Sequence, residues 1–226
     1  MWQHQEVQRI AESGFNSVEP VRPYSEALKT VAELNEQCLE LFCEHAQQRT
    51  ITSPPMLRDL AHLWSQLDVG ARRRAAACPF LLIDAGFADP SRWRWVGTDC
   101  VGDREPTTYA SVFSGNNAVR VAHQVFTNAW YIVRTQLTGA PLFLGMPSHC
   151  ANLLRVCTMR QVTELANKHA GWLRPRWAGR LRIWQELLVS AISPENGTLE
   201  MARLHGVQLL AMEMRALEQV QEKEVR

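Results

Sequence analysis

The sequence predicts an all-α fold, a compact multi-helix domain with a helix-turn-helix-like pair and one long irregular loop rich in Trp and Gly. Three observations carry this expectation. Apolar residues recur every three or four positions through most of the chain, the spacing that gathers them on one side of a helix. Helix-start and helix-stop residues bracket those segments. Only the window 84–116 holds closely spaced Gly and Pro without such a period.

The elements follow in chain order. Leu28, Val31, Leu34, Cys38, Leu41, Phe42 and His45 form one stripe over residues 24–48, with Ser25 as the expected N-cap. After Pro54 and Pro55, with Ser53 as a second cap, Leu57, Leu60, Leu63, Trp64 and Leu67 predict a helix that Asp68-Val69-Gly70 ends. Arg72, Arg73 and Arg74 come next. The apolar run 79–83 fits both a buried helix and a short strand, and periodicity does not separate them. Trp93 and Trp95 alternate inside the irregular window, as in a short extended piece or hairpin. A central helix is expected after Asn116, with Ala118, Ala122, Val125, Phe126, Ala129, Trp130, Val133 and Leu137 on its broad apolar face and Gly139 closing it. Pro147 suits the first turn of a short helix running to about residue 156. Thr158 and Gln161 then read as a capping box for a helix carrying Val162, Leu165, Ala166 and His169, ended by Gly171. A further helix holds Leu181, Trp184, Leu188 and Ala191, with Trp177 expected on the same side of the core as Trp184. The last helix carries Val207, Leu210, Met214 and Leu217 at 3-4-3 spacing, either a docking face for a second copy or partner or a stripe folded back on its own chain. One helical domain over 1–226 is expected, divisible into 1–116 and 117–226.

Composition narrows the class. An apolar share of 46% and a charged share of 21% are those of an ordinary globular chain. Six cysteines without a C-x-x-C pair, and a polar N-terminus carrying Glu6, Glu12 and Glu19, predict a cytoplasmic protein. The longest apolar run, 75–88, is interrupted by Asp84 and too short to span a bilayer. No Gly-rich phosphate loop, G-x-S-x-G elbow, H-E-x-x-H or dinucleotide fingerprint occurs, so neither catalysis nor a cofactor is expected. The weak enzymatic alternative is a pocket formed by Asp84, Asp99 and a histidine. His149, Cys150 and Cys157 match no common zinc spacing, and Cys38 and Cys43 point apart on a helix, so no metal is expected.

Charge is uneven along the chain. Residues 152–184 hold seven Arg or Lys and one Glu, whereas residues 1–60 sum to −4 and residues 185–226 to −3. A basic stretch between acidic flanks is the footprint of a phosphate-binding surface. It coincides with the two short helices, the physical unit of a helix-turn-helix. In such a unit the start of the second helix meets bases or phosphates. That start offers Thr158, Arg160 and Gln161, with Lys168 at the other end and Arg174, Arg176, Arg180 and Arg182 beyond as expected phosphate contacts. Arg forks onto guanine or phosphate, and Gln pairs with adenine.

Leu144, Gly145, Met146, Ala151, Leu154, Thr158, Gln161, Val162, Leu165 and Ala166, preceded by a helix with Ala129 and Trp130, resemble the flagellar transcriptional activator FlhD family over about residues 122–173. The resemblance implies a helical, dimeric transcription activator that binds promoter DNA together with an FlhC-like partner. Residues 1–116 would then be an N-terminal addition. The expected function is therefore DNA-binding transcription regulation, in a homo-oligomer or with a protein partner and away from membranes. The alternative is a non-catalytic helical adaptor that binds a protein.

Overall fold

The computed structural model describes residues 22–48, 53–93, 111–193 and 197–225. Trp95 and Asp99 lie outside them, as does most of the irregular window. The described residues are predominantly helical, as the sequence predicts. The helices are α1 (Arg22–Gln48), α2 (Pro55–Asp59), α3 (Ala61–Trp64), α4 (Val69–Ala76), α5 (Pro90–Trp93), α6 (Asn116–Thr135), α7 (Ala140–Leu144), α8 (Ser148–Val156), α9 (Met159–Lys168), α10 (Leu181–Ile192) and α11 (Thr198–Val225). Two-residue strands β1 (Ile83–Asp84) and β2 (Arg174–Pro175) pair antiparallel, Ile83 opposite Pro175 and Asp84 opposite Arg174.

α1 and α6 are the two long central helices, and they pack on each other. α1 buries Val31, Leu34, Cys38, Leu39, Leu41 and Phe42, and α6 buries Ala122, Val125, Phe126, Ala129 and Val133. A continuous apolar cluster runs from Ala27 to Met214, so segments on both sides of residue 116 share it. α4 lies against α1, α9 against α6, and α11 against α10 and α7.

The run 79–83 is neither a helix nor a full strand. It passes through the core as irregular, bent chain that becomes strand only at Ile83, with Phe80, Leu81, Leu82 and Ile83 all buried. Buried backbone must find partners, and here they come from afar. Asn35, itself fully buried, donates to the carbonyls of Ala76 (3.1 Å) and Phe80 (2.9 Å) and accepts from the Leu82 amide (2.8 Å). The Leu81 amide donates to Phe143 O at 2.8 Å, and the Arg176 amide donates to Leu82 O at 2.9 Å.

Several boundaries differ from expectation. α1 starts at Arg22, so Ser25 sits inside it and is no N-cap. Pro54 rather than Ser53 precedes α2, without a side-chain cap, and the stripe 57–67 is broken up, with Leu57 in α2, Leu60 between the helices, Leu63 and Trp64 in α3 and Leu67 beyond it. Asp68 ends nothing. Its carboxylate accepts from the Ala71 amide at 2.6 Å and starts α4, which carries Arg72, Arg73 and Arg74. α6 ends at Thr135 with Gln136 as its C-cap, the Gln136 amide donating to Ile132 O, and Gly139 closes a 3-10 turn rather than the helix. α9 stops at Lys168, three residues before Gly171. Trp93 belongs to a helical turn, not a hairpin, and is fully buried with its indole donating to Gly86 O at 2.8 Å. Trp184 is buried, while Trp177 is only half-buried and lies in the preceding turn.

The C-terminal stripe docks on its own chain. Leu210 and Met214 are buried, and Val207 and Leu217 pack against the same core. Arg203 ties the helix down by donating to Arg74 O at 2.9 Å. Leu210 and Met214 are therefore covered within the chain, the fold-back alternative for this stripe, while Val207 and Leu217 remain partly exposed.

Candidate nucleic-acid interface

α8 and α9 both pack on α6 and are joined by Cys157 and Thr158 alone. Both joining residues have extended backbone, Cys157 at φ −62° and Thr158 at φ −78°, which explains why the turn needs no glycine. The capping box forms as expected. Thr158 Oγ1 accepts from the Gln161 amide at 3.3 Å, and the Thr158 amide donates to Gln161 Oε1 at 2.8 Å. The Trp130 indole donates to Cys157 O at 2.8 Å, so α6 fixes the turn itself. The Arg134 guanidinium lies 4.7 Å from the Trp130 ring and flanks the same turn. At the far end of α9, His123 and Asn167 share a 2.7 Å hydrogen bond.

The inner side of this unit is apolar, with Cys150, Ala151, Leu154, Val162, Leu165 and Ala166 buried. The outer side carries Arg155 and Val156 on α8 and Met159, Arg160, Thr163, Asn167 and Lys168 on α9, all exposed. Arg160 pairs with Glu164 one turn on, at 3.0 Å. Glu164 is the single carboxylate between residues 111 and 185, a span that holds nine Arg or Lys.

The expected contacts divide. Arg160 and Lys168 are on the outer face of α9. Thr158 and Gln161 are occupied by the cap. Gln161 Oε1 accepts from the Thr158 amide, so Gln161 serves as a capping residue. Arg180 is exposed just before α10, and Arg182 is exposed and paired with Glu186 at 2.8 Å. Arg174 is half-buried in β2. Arg176 does not face solvent: it is 4% exposed, donating from Nε to Leu81 O (2.9 Å) and from Nη2 to Leu144 O (2.7 Å). Burial lowers its pKa, opposed by the nearby charges of Asp84 and Glu213. Its expected phosphate role is thus replaced by a role in the core. Gly145, at φ +60°, lets the chain pass the guanidinium where any Cβ would collide with it.

The four arginines after Gly171 therefore form no single cluster. Sequence reasoning missed Arg134 and Arg155, which flank the turn. The available signal was the lack of Asp and Glu from 106 to 163, which counting charge in broad windows dilutes.

Other groups have local duties. Asp84 accepts from the Phe87 amide at 3.0 Å, the bond of a tight turn. Among the described residues, no group of three His, Cys, Asp or Glu is placed to hold a metal ion. Likewise, no described helix is long and apolar enough to cross a membrane. His169 stacks on Trp172 with ring centroids 3.9 Å apart. Burial first, then Lys168 and Arg92, lowers its pKa from 6.5 to about 4. No family model, curated protein or solved structure matches this chain.

Proposed function

We propose that the chain is a DNA-binding transcription regulator of FlhD type, meeting DNA with the outer face of α8 and α9. One observation carries the reading, a capped two-helix unit braced on α6 whose outer face holds exposed Arg155, Arg160 and Lys168 in a stretch with one carboxylate. Cations on such a face meet phosphates and release counterions. Arg134 and Arg180 extend the positive field, and Arg176 takes no part. The FlhD-like residues Leu144, Met146, Ala151, Leu154, Val162, Leu165 and Ala166 are all buried, as residues that define a shared helical frame are. The exposed apolar side chains of Val156 and Met159 beside the turn favour the second reading, an adaptor that docks a protein on the same face.

Fluorescence anisotropy on duplex DNA across a salt series tests the first reading. Replacing Arg155, Arg160 and Lys168 together by Ala is expected to weaken binding at least tenfold. It should also flatten the slope of log K against log salt by about 3 units at most, at ~0.9 per phosphate contact. If the wild-type chain binds no DNA at low salt, alone or supplemented with cell extract, the regulator reading fails and the adaptor takes its place.

A further inference from the structure

The tip of the two-helix unit is apolar, although the surface around it is basic. Val156, the last residue of α8, is 72% exposed, and Met159, the first residue of α9, is 46% exposed. Only Cys157 and Thr158 separate them. Cations surround the tip. Arg155 and Arg160 are its exposed neighbours in the chain, and Arg134 flanks the turn from α6. The polar side chains at the start of α9 are already engaged. Thr158 and Gln161 close the capping box, Arg160 pairs with Glu164 at 3.0 Å, and Thr163 donates its hydroxyl proton to Met159 O at 3.0 Å. Thr163 is exposed and follows Met159 by four residues, so it adds a methyl-bearing side chain to the same side of α9.

We infer that Val156 and Met159 read thymine, covering its C5-methyl group in the major groove while the arginines around them hold phosphates. This role rests on the DNA-binding reading of α8 and α9 and adds to it the base that the face selects. Phosphate contacts set the register of a protein on the duplex but carry no sequence information. The base-reading side chains therefore stand between the cations, at the start of the second helix, which is where such a unit meets base edges. Here those side chains are Val156 and Met159. Among the base edges of the major groove the thymine methyl is the single apolar group, whereas guanine, adenine and cytosine offer donors and acceptors alone. Pressed against those, an apolar tip strips water from groups it cannot pair with. Against thymine the same tip removes methyl surface from water. The flexible thioether of Met159 can follow the methyl, and the stiff Val156 gives it a fixed wall. Two apolar side chains supply little of the ~800 Å² per partner that a stable protein interface buries, but they match one or two methyl groups in size.

Selection of duplexes from a random-sequence pool by the full chain, followed by base replacement in the selected sites, tests the inference. The selected duplexes are expected to share thymine-containing steps. Rebuilding them with uracil for thymine removes the methyl and keeps every base-pairing group. Affinity in fluorescence anisotropy should then fall about fourfold for each methyl contacted, the factor for one buried methyl-sized group. The double variant Val156→Ala, Met159→Ala should bind the uracil duplex as the wild type does and the thymine duplex no better. Its helical circular dichroism should be unchanged, because both positions are exposed. Arg155→Ala, by contrast, should weaken both duplexes alike. A wild type that binds thymine and uracil duplexes equally overturns the inference and leaves the DNA-binding reading standing. So does a thymine preference that survives in the double variant. If the selection retains no duplex at low salt, the DNA-binding reading falls and the inference falls with it, and Val156 and Met159 belong to the adaptor's face.

Discussion

Asn35 and Arg176 serve the same stretch of backbone from opposite ends of the chain. Each is polar and buried, and each is tolerated because its hydrogen-bonding groups meet peptide groups of the 76–82 segment that no sheet satisfies. Asn35→Leu leaves two carbonyls and an amide without partners. It is expected to cost roughly 3–9 kcal/mol in urea unfolding, each of the three unpaired buried groups being worth about 1–3. Arg176→Ala removes a desolvated cation together with its contacts to Leu81 and Leu144 and should cost a similar amount. Arg180→Ala, at an exposed position, should stay within ~0.5 kcal/mol. This contrast separates the core arginine from its surface neighbours. His169 gives the residue scale its pH signature. Its folded pKa of about 4 lies below the ordinary 6.5 because burial, Lys168 and Arg92 disfavour the imidazolium. The unfolded chain therefore binds the proton first, and stability falls as pH drops from 6.5 toward 4. Thermal melts across that range should show the decline, and His169→Phe should flatten it.

At the scale of elements, α9 is the part that local chemistry specifies most completely. Thr158→Ala removes the acceptor for the Gln161 amide and should cost ~1 kcal/mol, read from the urea midpoint at unchanged slope. The box was legible because both its members lie within four residues of each other. The stripes of α1, α6 and α10 were legible for the same reason, since a helix face repeats locally. The fate of residues 79–83 was not, because a run buried on every side has no alternation, and its partners Asn35, Phe143 and Arg176 come from remote parts of the chain. Charge misled in the same way. Arg174, Arg176, Arg180 and Arg182 read alike as a string. Only the carbonyls of Leu81 and Leu144 draw Arg176 inward, while Arg180 stays in water. Arg160 and Lys168 of the candidate face were visible in the sequence as residues at the two ends of the capped helix. Arg134 and Arg155 became visible only once Trp130 placed the turn against α6.

At the scale of the whole molecule, α11 decides whether the chain's C-terminal region is an appendage or a wall of the core. Its inner and outer faces make opposite predictions. The inner face holds Leu210 and Met214, buried, and Gly206, whose missing side chain lets the helix sit on the Phe80 ring. Leu210→Ala should therefore cost about 2–5 kcal/mol, the lost transfer energy plus the cavity left behind. That loss should be independent of protein concentration, because the contact is within one chain. Deleting residues 198–226 removes both side chains and bares the wall they cover. It should lower stability by roughly 3–6 kcal/mol, at about 1.5–3 for each buried side chain. Dyes that report exposed apolar surface should bind the truncated chain. The outer face carries no such debt. Leu204→Glu, at an exposed position, should leave the melting temperature nearly unchanged. Melting each variant at low and high concentration reads both faces at once. If Leu210→Ala proves neutral at both concentrations, α11 does not close the core, and the stripe returns to being a surface for another molecule.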